Sequence, residues 1–180
     1  MIELALHILD IAENSSRAQA SLIEIALVED LEKDILSLEI KDNGSGMDEE
    51  TMKKAMDPFY TSKKVRRVGL GLPMLKHAAL SAGGDFSIES KLGVGTRICA
   101  SFQHSHIDRQ PIGDIPGTVI ALIIGNPEID ILYTHKKNSR EYVLDTREIR
   151  TALGDIPLNH MEVLNVIKDN VIEGIGELNL

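Results

Sequence analysis

Apolar residues in the N-terminal half of the chain follow a helical period first and an alternating period afterwards. Leu4, Ala5, Ile8, Leu9 and Ala12 recur at helical spacing, which predicts a helix over residues 3–18. Later patterns predict strands at 22–28, 35–42, 86–89 and 96–102, and helices at 51–56 (with Asp48 as N-cap) and about 72–82. This order predicts an α+β sandwich with its helices on one face of a sheet.

The C-terminal third shows a second set of patterns. Gly and Pro turn signals at residues 104–117 predict a linker or an ordered loop. Apolar runs predict strands at 119–124, 129–134 and 142–144, and a single apolar face predicts a helix over 161–175. We therefore divide the chain into residues 1–103, a connection at 104–117, and a small α/β extension at 118–180.

Composition narrows the classes of function. The 180 residues are 43% hydrophobic, and the formal net charge of −9 argues against nucleic acid or an anionic membrane as partner. Cys99 is the single cysteine, so the chain has no internal disulfide framework. Glu3 and Asp10 stand where a signal peptide would carry lysines, and no apolar run approaches the about 20 residues of a membrane span. We expect a cytoplasmic protein.

Two polar side chains share one face of the first predicted helix. Asp10 and Asn14 are four residues apart, and His7 and Arg17 extend the same stripe. A carboxylate beside a carboxamide offers the oxygen ligands that magnesium prefers, and it can also orient a water molecule. The alternative is an ordinary solvated helix face in which Glu13 and Arg17 form an i,i+4 ion pair.

A glycine-containing turn, DNGSGM at residues 42–47, follows the second predicted strand. Gly44 and Gly46 permit a backbone geometry that allows close approach to a flat ligand. Asp42 can accept a hydrogen bond from an exocyclic amine. The alternative is a plain Asx-type turn with no ligand.

A second glycine turn, GLGL at residues 69–72, opens a predicted helix, and a helix N-terminus favours phosphate. The turn differs from the dinucleotide-binding fingerprint because Met74 occupies the third glycine position, and the absence of any Gly-Lys dipeptide excludes a Walker A loop. The preceding loop carries four basic residues that supply positive charge beside the turn: Lys63, Lys64, Arg66 and Arg67. The alternative is that these side chains are simply solvated.

Taken in order, these pieces resemble the GHKL superfamily of gyrase B subunits, heat-shock chaperones, sensor histidine kinases and MutL-type repair proteins. LDIAENSSRA at 9–18 is similar to the N box, and DNGSGM at 42–47 to the G1 box. DPFYTSK at 57–63 and GLGLPMLK at 69–76 resemble the F and G2 boxes, nearest to the histidine-kinase branch. The resemblance covers about residues 1–103. It implies a Bergerat-type ATP-binding domain, a two-layer sandwich of helices on a mixed, mostly antiparallel sheet.

The resemblance also implies roles for individual positions. Asn14 would coordinate a magnesium ion bridging the ATP phosphates, and Asp10 stands where hydrolysing branches carry a catalytic glutamate. Asp42 would read the adenine amino group with support from Thr96. Residues 57–71 would form an ATP lid that orders on binding. The remaining nucleotide contacts would come from Gly44, Gly46, Met47, Lys63, Gly69, Leu70, Gly71 and Leu72.

Two functions from different classes stay open. The first is a GHKL-type kinase or ATPase in signalling or regulation, with Asp10 as base. Because no histidine is followed by Asp or Glu, we expect a stand-alone protein without its own phosphoacceptor-histidine domain, acting with a separate protein substrate or regulator. The second is an ATP-dependent switch with little or no turnover that a partner reads. No function is predicted for residues 118–180, whose helix can pack on the sheet or form a homodimer seam.

Overall fold

Pairs of strands from one sheet alternate with one or two helices along the chain. The structure is a computed structural model that describes residues 2–57 and 70–180. The helices are α1 (Leu4–Arg17), α2 (Glu49–Ala55), α3 (Gly71–Ser81), α4 (Ile115–Gly125), α5 (Thr146–Leu153) and α6 (Met161–Glu177). The strands are β1 (Leu22–Asp30), β2 (Ile35–Asp42), β3 (Phe86–Lys91), β4 (Gly95–Gln103), β5 (Asp130–Lys137) and β6 (Arg140–Asp145).

The described strands form one six-stranded sheet in the order β3-β4-β2-β1-β5-β6. β1 and β5 are parallel, and every other neighbouring pair is antiparallel. The predicted α+β class with a mixed, mostly antiparallel sheet is confirmed. The C-terminal extension enlarges this same sheet, because β5 pairs directly with β1 and places Leu22 opposite Asp130.

One face of the sheet carries the core, and it positions α1. Alternate residues of β1 and β2 are buried, among them Ile25 and Leu38, and α1 contributes the fully buried Ile8 and Ile11 to the same core. The opposite face carries charged pairs such as Lys41–Glu24 at 2.9 Å. α1 packs against both α3 and α4, and α4 packs against α6. Because the apolar stripe of α1 packs into the core, the polar stripe of α1 is held next to α3.

The prediction of a strand at 119–124 is wrong, because these residues lie inside α4. The helix begins after Asp114, whose side chain accepts a hydrogen bond from the Gly117 amide at 2.9 Å, and it carries Pro116 in its first turn. α4 packs against two helices, so apolar residues occupy several of its faces and the helical period is hidden. The sequence patterns also miss α5.

The other predicted helices and strands are present, with ends that differ by a few residues. Asp48 is the N-cap of α2, as predicted, and accepts a hydrogen bond from the Thr51 amide at 2.7 Å. Residues 104–114, which we call the strap, form an ordered loop. The strap lies across the start of α1, where the amides of Leu4 and Ala5 donate to Pro111 and Ile112 carbonyls. None of the helices within the described ranges has the length and apolar character needed to cross a bilayer.

A buried polar cluster joins the extension and the strap to the end of β1 farthest from Asp42. Glu29 is hydrogen-bonded through one carboxylate oxygen to His135 at 3.0 Å and through the other to His104 at 2.9 Å. The Tyr133 hydroxyl lies 3.1 Å from the other ring nitrogen of His135. The hydrogen bond from His135 is the main cause that lowers the pKa of Glu29 to about 2. A charged carboxylate therefore links three segments at this end of the sheet.

Candidate functional site

Asp42 is a buried carboxylate at the end of β2, with 8% of its surface exposed. Its Oδ2 accepts a hydrogen bond from the Ser15 hydroxyl at 2.7 Å, and its Oδ1 accepts one from the Gly44 amide at 2.9 Å. Since a carboxylate offers about four acceptor positions, both oxygens keep capacity for a further donor. α1 and the turn after β2 together fix the direction from which a further donor can approach the Asp42 carboxylate.

Ser15 is a site residue that the sequence analysis misses. It is itself buried, with only 2% of its surface exposed. The signal was available, because Ser15 continues the apolar spacing of Ile8, Ile11 and Ala12 along α1. A hydroxyl at a core position requires a hydrogen-bond partner, so this spacing indicates a buried polar contact. It does not identify Asp42, because a helical serine can also donate to the carbonyl four residues earlier, and the Ile11 carbonyl oxygen lies 3.3 Å from the Ser15 hydroxyl.

The glycines of the 42–47 turn are required by the protein's own packing. A Cβ at Gly44 would lie 2.7 Å from the Ala18 carbonyl oxygen, which also accepts a hydrogen bond from Ser45. Gly46 has φ +65°, and a Cβ there would lie 2.0 Å from the Lys91 carbonyl oxygen. The turn is held between the end of α1 and the end of β3. Its glycines therefore have a structural reason in addition to the predicted contact with a flat ligand.

Thr96 lies opposite Asp42 in the β2–β4 ladder. Its hydroxyl is hydrogen-bonded to the Ser90 hydroxyl at 2.8 Å, and Ser90 accepts a hydrogen bond from the Met47 amide at 2.8 Å. Within the described residues, Thr96 makes no direct side-chain hydrogen bond to Asp42, whose direct donors are Ser15 and Gly44. Through Ser90, Thr96 thus stabilises the start of β4 and the backbone at Met47.

Asp10 lies against the first residue of α3. A Cβ at Gly71 would lie only 2.3 Å from Asp10 Oδ2, so a side chain at position 71 has no room. Asn14, one turn further along α1, accepts a hydrogen bond from Arg17 at 3.3 Å. Arg17 also forms an ion pair with Glu13 at 3.3 Å, as the alternative of a solvated helix face predicts. The surface ion pair and the candidate site therefore share this face of α1.

The start of α3 presents backbone amides next to Asp10. Leu70 is the N-cap and provides no side-chain hydrogen bond, while its carbonyl accepts from the Met74 amide at 2.9 Å. Helix geometry leaves the amides of Gly71 and Leu72 without intrahelical partners, and the residue that follows them is a proline. This end of the helix is suited to bind an anion. Lys63, Gly69 and most of the predicted lid lie outside the described residues.

A family model described as histidine kinase-, DNA gyrase B-, and HSP90-like ATPase matches residues 2–106. The chain belongs to this family. A putative sensor protein of Shewanella frigidimarina is 42% identical over 62 residues, which are 34% of this chain and 10% of that protein. Sensor histidine kinase YvrG of Bacillus subtilis is 33% identical over 84 residues, 44% of this chain and 14% of that kinase. The chain thus spans a small part of these relatives' length.

Solved structures show the same GHKL fold. The Aquifex aeolicus MutL ATPase domain complexed with ADP matches with a TM-score of 0.51 and 15% identity, over 85% of this chain and 69% of that one. The N-terminal domain of a DNA repair protein matches with a TM-score of 0.54 and 16% identity, over 81% and 53%. At 85% coverage, the structural likeness to the MutL ATPase domain reaches beyond residue 106 and includes part of the C-terminal extension.

Proposed function

We propose that this chain binds Mg-ATP between α1, the turn after β2 and the start of α3, and uses it as a kinase or ATPase in signalling or regulation. Asp42 carries this proposal, because it is a buried carboxylate whose oxygens are fixed by Ser15 and Gly44 and still have acceptor capacity. A fixed acceptor of this kind suits the exocyclic amino group of adenine. The MutL ATPase domain of similar fold was solved with ADP, which supports an adenine nucleotide.

The phosphate groups would meet the start of α3. The amides of Gly71 and Leu72 and the positive end of the helix dipole favour negative charge there. Asp10 lies against Gly71, so a carboxylate is next to the place where the terminal phosphate would be held. The adenine end and the phosphate end of the site are both built from α1, through Ser15 and Asp10 respectively.

The carboxamide oxygen of Asn14 fits a magnesium ion that arrives with the nucleotide. Magnesium usually keeps several waters and takes only one or two protein oxygens together with substrate phosphates. No group of three or more His, Cys, Asp or Glu side chains that could hold a metal exists in residues 2–57 and 70–180, so a closed protein cage is not built there. Asn14 would hold the ion, which would neutralise phosphate charge.

Asp10 is the base in this proposal. It would take a proton from an attacking water, or from a nucleophile on another protein, which is the role of a positioned carboxylate in general base catalysis. The similarity to sensor histidine kinase YvrG supports transfer to a protein acceptor, which would lie outside these 180 residues. Dependence on cellular ATP fits the cytoplasmic location expected from the sequence.

A second candidate, an ATP-dependent switch with negligible turnover, is favoured by one contact. Asp10 has a short side chain, and its Oδ2 is packed against Gly71, which restricts the reach of the carboxylate. Incubation with γ-labelled ATP, followed by separation of free and protein-bound phosphate, distinguishes the two functions. Free phosphate indicates an ATPase, and label on an added protein indicates a kinase. Label in neither pool, with tight ATP binding confirmed, supports the switch.

A further inference from the structure

A buried histidine lies on α1 beneath the candidate site. His7 is fully buried, three residues before Asp10 on the same helix face, and its Nε2 is 2.9 Å from Gln110 Oε1 in the strap. Burial is the main cause that lowers the pKa of His7, against opposing effects of Gln110, Asp10 and the Gly71 backbone. A neutral ring has one donor nitrogen and one acceptor nitrogen, so both need a partner in the interior.

Only one of the two ring nitrogens has a partner within the described residues. His7 Nδ1 is buried and makes no hydrogen bond there, which is costly for a polar atom in the interior. Contact with the Gly71 backbone is a minor effect that raises the pKa of His7, so the Gly71 carbonyl oxygen lies near this ring, although the geometry falls short of a hydrogen bond. Gly71 is also pressed against Asp10. The residue that would present its amide to the phosphates therefore also borders the unpaired nitrogen.

The strap holds Gln110 in place from the other side. The carbonyl oxygens of Pro111 and Ile112 accept hydrogen bonds from the Leu4 and Ala5 amides at 2.9 and 2.8 Å. These bonds satisfy amides at the start of α1 that have no intrahelical partner. The family match ends at residue 106, so Gln110 belongs to a part of the chain that the family model does not cover.

We propose that His7 is a positioning residue that couples the strap to the start of α3, so that the Gln110–His7 contact determines how tightly the nucleotide is held. The proposal rests on the proposed function. Gln110 fixes the angle of the ring, and the ring's free nitrogen sets where Gly71 settles against Asp10. When nucleotide holds the start of α3 closer, the Gly71 carbonyl oxygen accepts a hydrogen bond from His7 Nδ1, and the Gln110 side-chain amide turns to donate to Nε2. The Gly71 amide stays available to the phosphates, and the removal of an unpaired buried group favours the bound state.

A double-mutant cycle on Mg-ATP affinity tests this coupling in the full chain. His7→Phe keeps a ring but removes both nitrogens, and Gln110→Leu removes the partner in the strap. Each variant is expected to weaken Mg-ATP binding between about fivefold and a hundredfold, a typical range for coupled sites. The double variant should bind no more weakly than the poorer single variant, because both remove the same connection. His7→Gln, which keeps a donor and an acceptor, should recover part of the affinity.

Two matched controls separate positioning from general destabilisation. His77→Phe makes the same replacement at an exposed position of α3, and Gln103→Leu removes a glutamine whose amide donates to Asp34 at 2.9 Å. Both controls should bind Mg-ATP like the parent. If His7→Phe does not fold, Gln110→Leu decides the question.

Parent-like affinity in a folded Gln110→Leu protein overturns the coupling and leaves the proposed function intact. Independent, additive losses in the double variant also overturn it. A parent that binds no Mg-ATP overturns the proposed function and this inference together.

Discussion

The Ser15 hydroxyl donates a hydrogen bond to Asp42 Oδ2 across 2.7 Å, and both residues are buried. This contact joins α1 to the end of β2 and fixes one carboxylate oxygen. Ser15→Ala should therefore weaken Mg-ATP binding by about 1 kcal/mol, close to a fivefold change, because the acceptor loses its orientation. Calorimetric titration with Mg-ATP measures the change. Ser16→Ala is the matched control, since Ser16 is hydrogen-bonded to Asn126 instead, and equal losses in both variants would contradict a specific role for Ser15.

Substitutions at Asp10 and at Asn14 should have different effects, although the two residues share one face of α1. Asn14→Ala removes the proposed magnesium ligand, so nucleotide affinity should fall in the presence of magnesium and change little without it. Asp10→Asn keeps the size and polarity of the side chain but cannot accept a proton. It should bind Mg-ATP nearly normally while phosphate release falls by about 10²- to 10⁴-fold, as expected for a general base. Unchanged phosphate release by an active Asp10→Asn protein would exclude Asp10 as the base.

Gly46 should tolerate a methyl group much less well than Gly93 does. Both have positive φ, +65° and +74°, so alanine at either position carries the cost of the left-handed region, about 1–2 kcal/mol. A Cβ at Gly46 would meet the Lys91 carbonyl oxygen at 2.0 Å, whereas nothing lies within 4 Å of one at Gly93. Denaturant unfolding of both variants isolates the steric part. Equal losses of stability would show that the close approach to Lys91 does not constrain the turn.

The sequence predicts most helices and strands and the motifs that form the site, but not the tertiary contacts that orient the site residues. Strong helical periodicity made α1 predictable. The strands were predictable because burial of one face produces an alternating apolar pattern in the sequence. The run at 119–124 fails because α4 is packed on two sides, so its apolar residues show no single face. Gln110 and His7 are 103 positions apart, and nothing local indicates that the strap returns to the start of α1. Such contacts depend on tertiary packing that a single sequence does not display.

Glu29 should make the protein sensitive to acid. Its pKa falls from 4.5 to about 2 on folding, chiefly because His135 hydrogen-bonds to the carboxylate. A carboxyl with a lowered folded pKa stabilises above the unfolded pKa, so its contribution is complete above pH 4.5 and is lost as the pH falls toward 2. Glu29→Gln should lower the free energy of unfolding at pH 7 by up to about 3 kcal/mol and flatten this part of the pH dependence.

Denaturant unfolding of the parent and Glu29→Gln proteins between pH 7 and about 2 measures this difference. Glu32→Gln, at an exposed turn position close by, serves as the control and should unfold like the parent. A difference between Glu29→Gln and the parent that stays constant down to pH 2 would show that Glu29 does not carry this proton linkage.

Calorimetric titration of the parent and of Asp42→Asn with ATP and with GTP, in magnesium, tests the central claim most directly. Asparagine keeps the shape of the side chain but replaces an acceptor oxygen with a donor amide, so the charge-assisted hydrogen bond to adenine is lost. The parent should bind ATP and prefer it to GTP, and Asp42→Asn should lose about 1.5–3 kcal/mol of ATP affinity together with that preference. Asp108→Asn, at an exposed loop position, should behave like the parent. ATP affinity that is absent in the parent, or unchanged in Asp42→Asn, would contradict the proposed site.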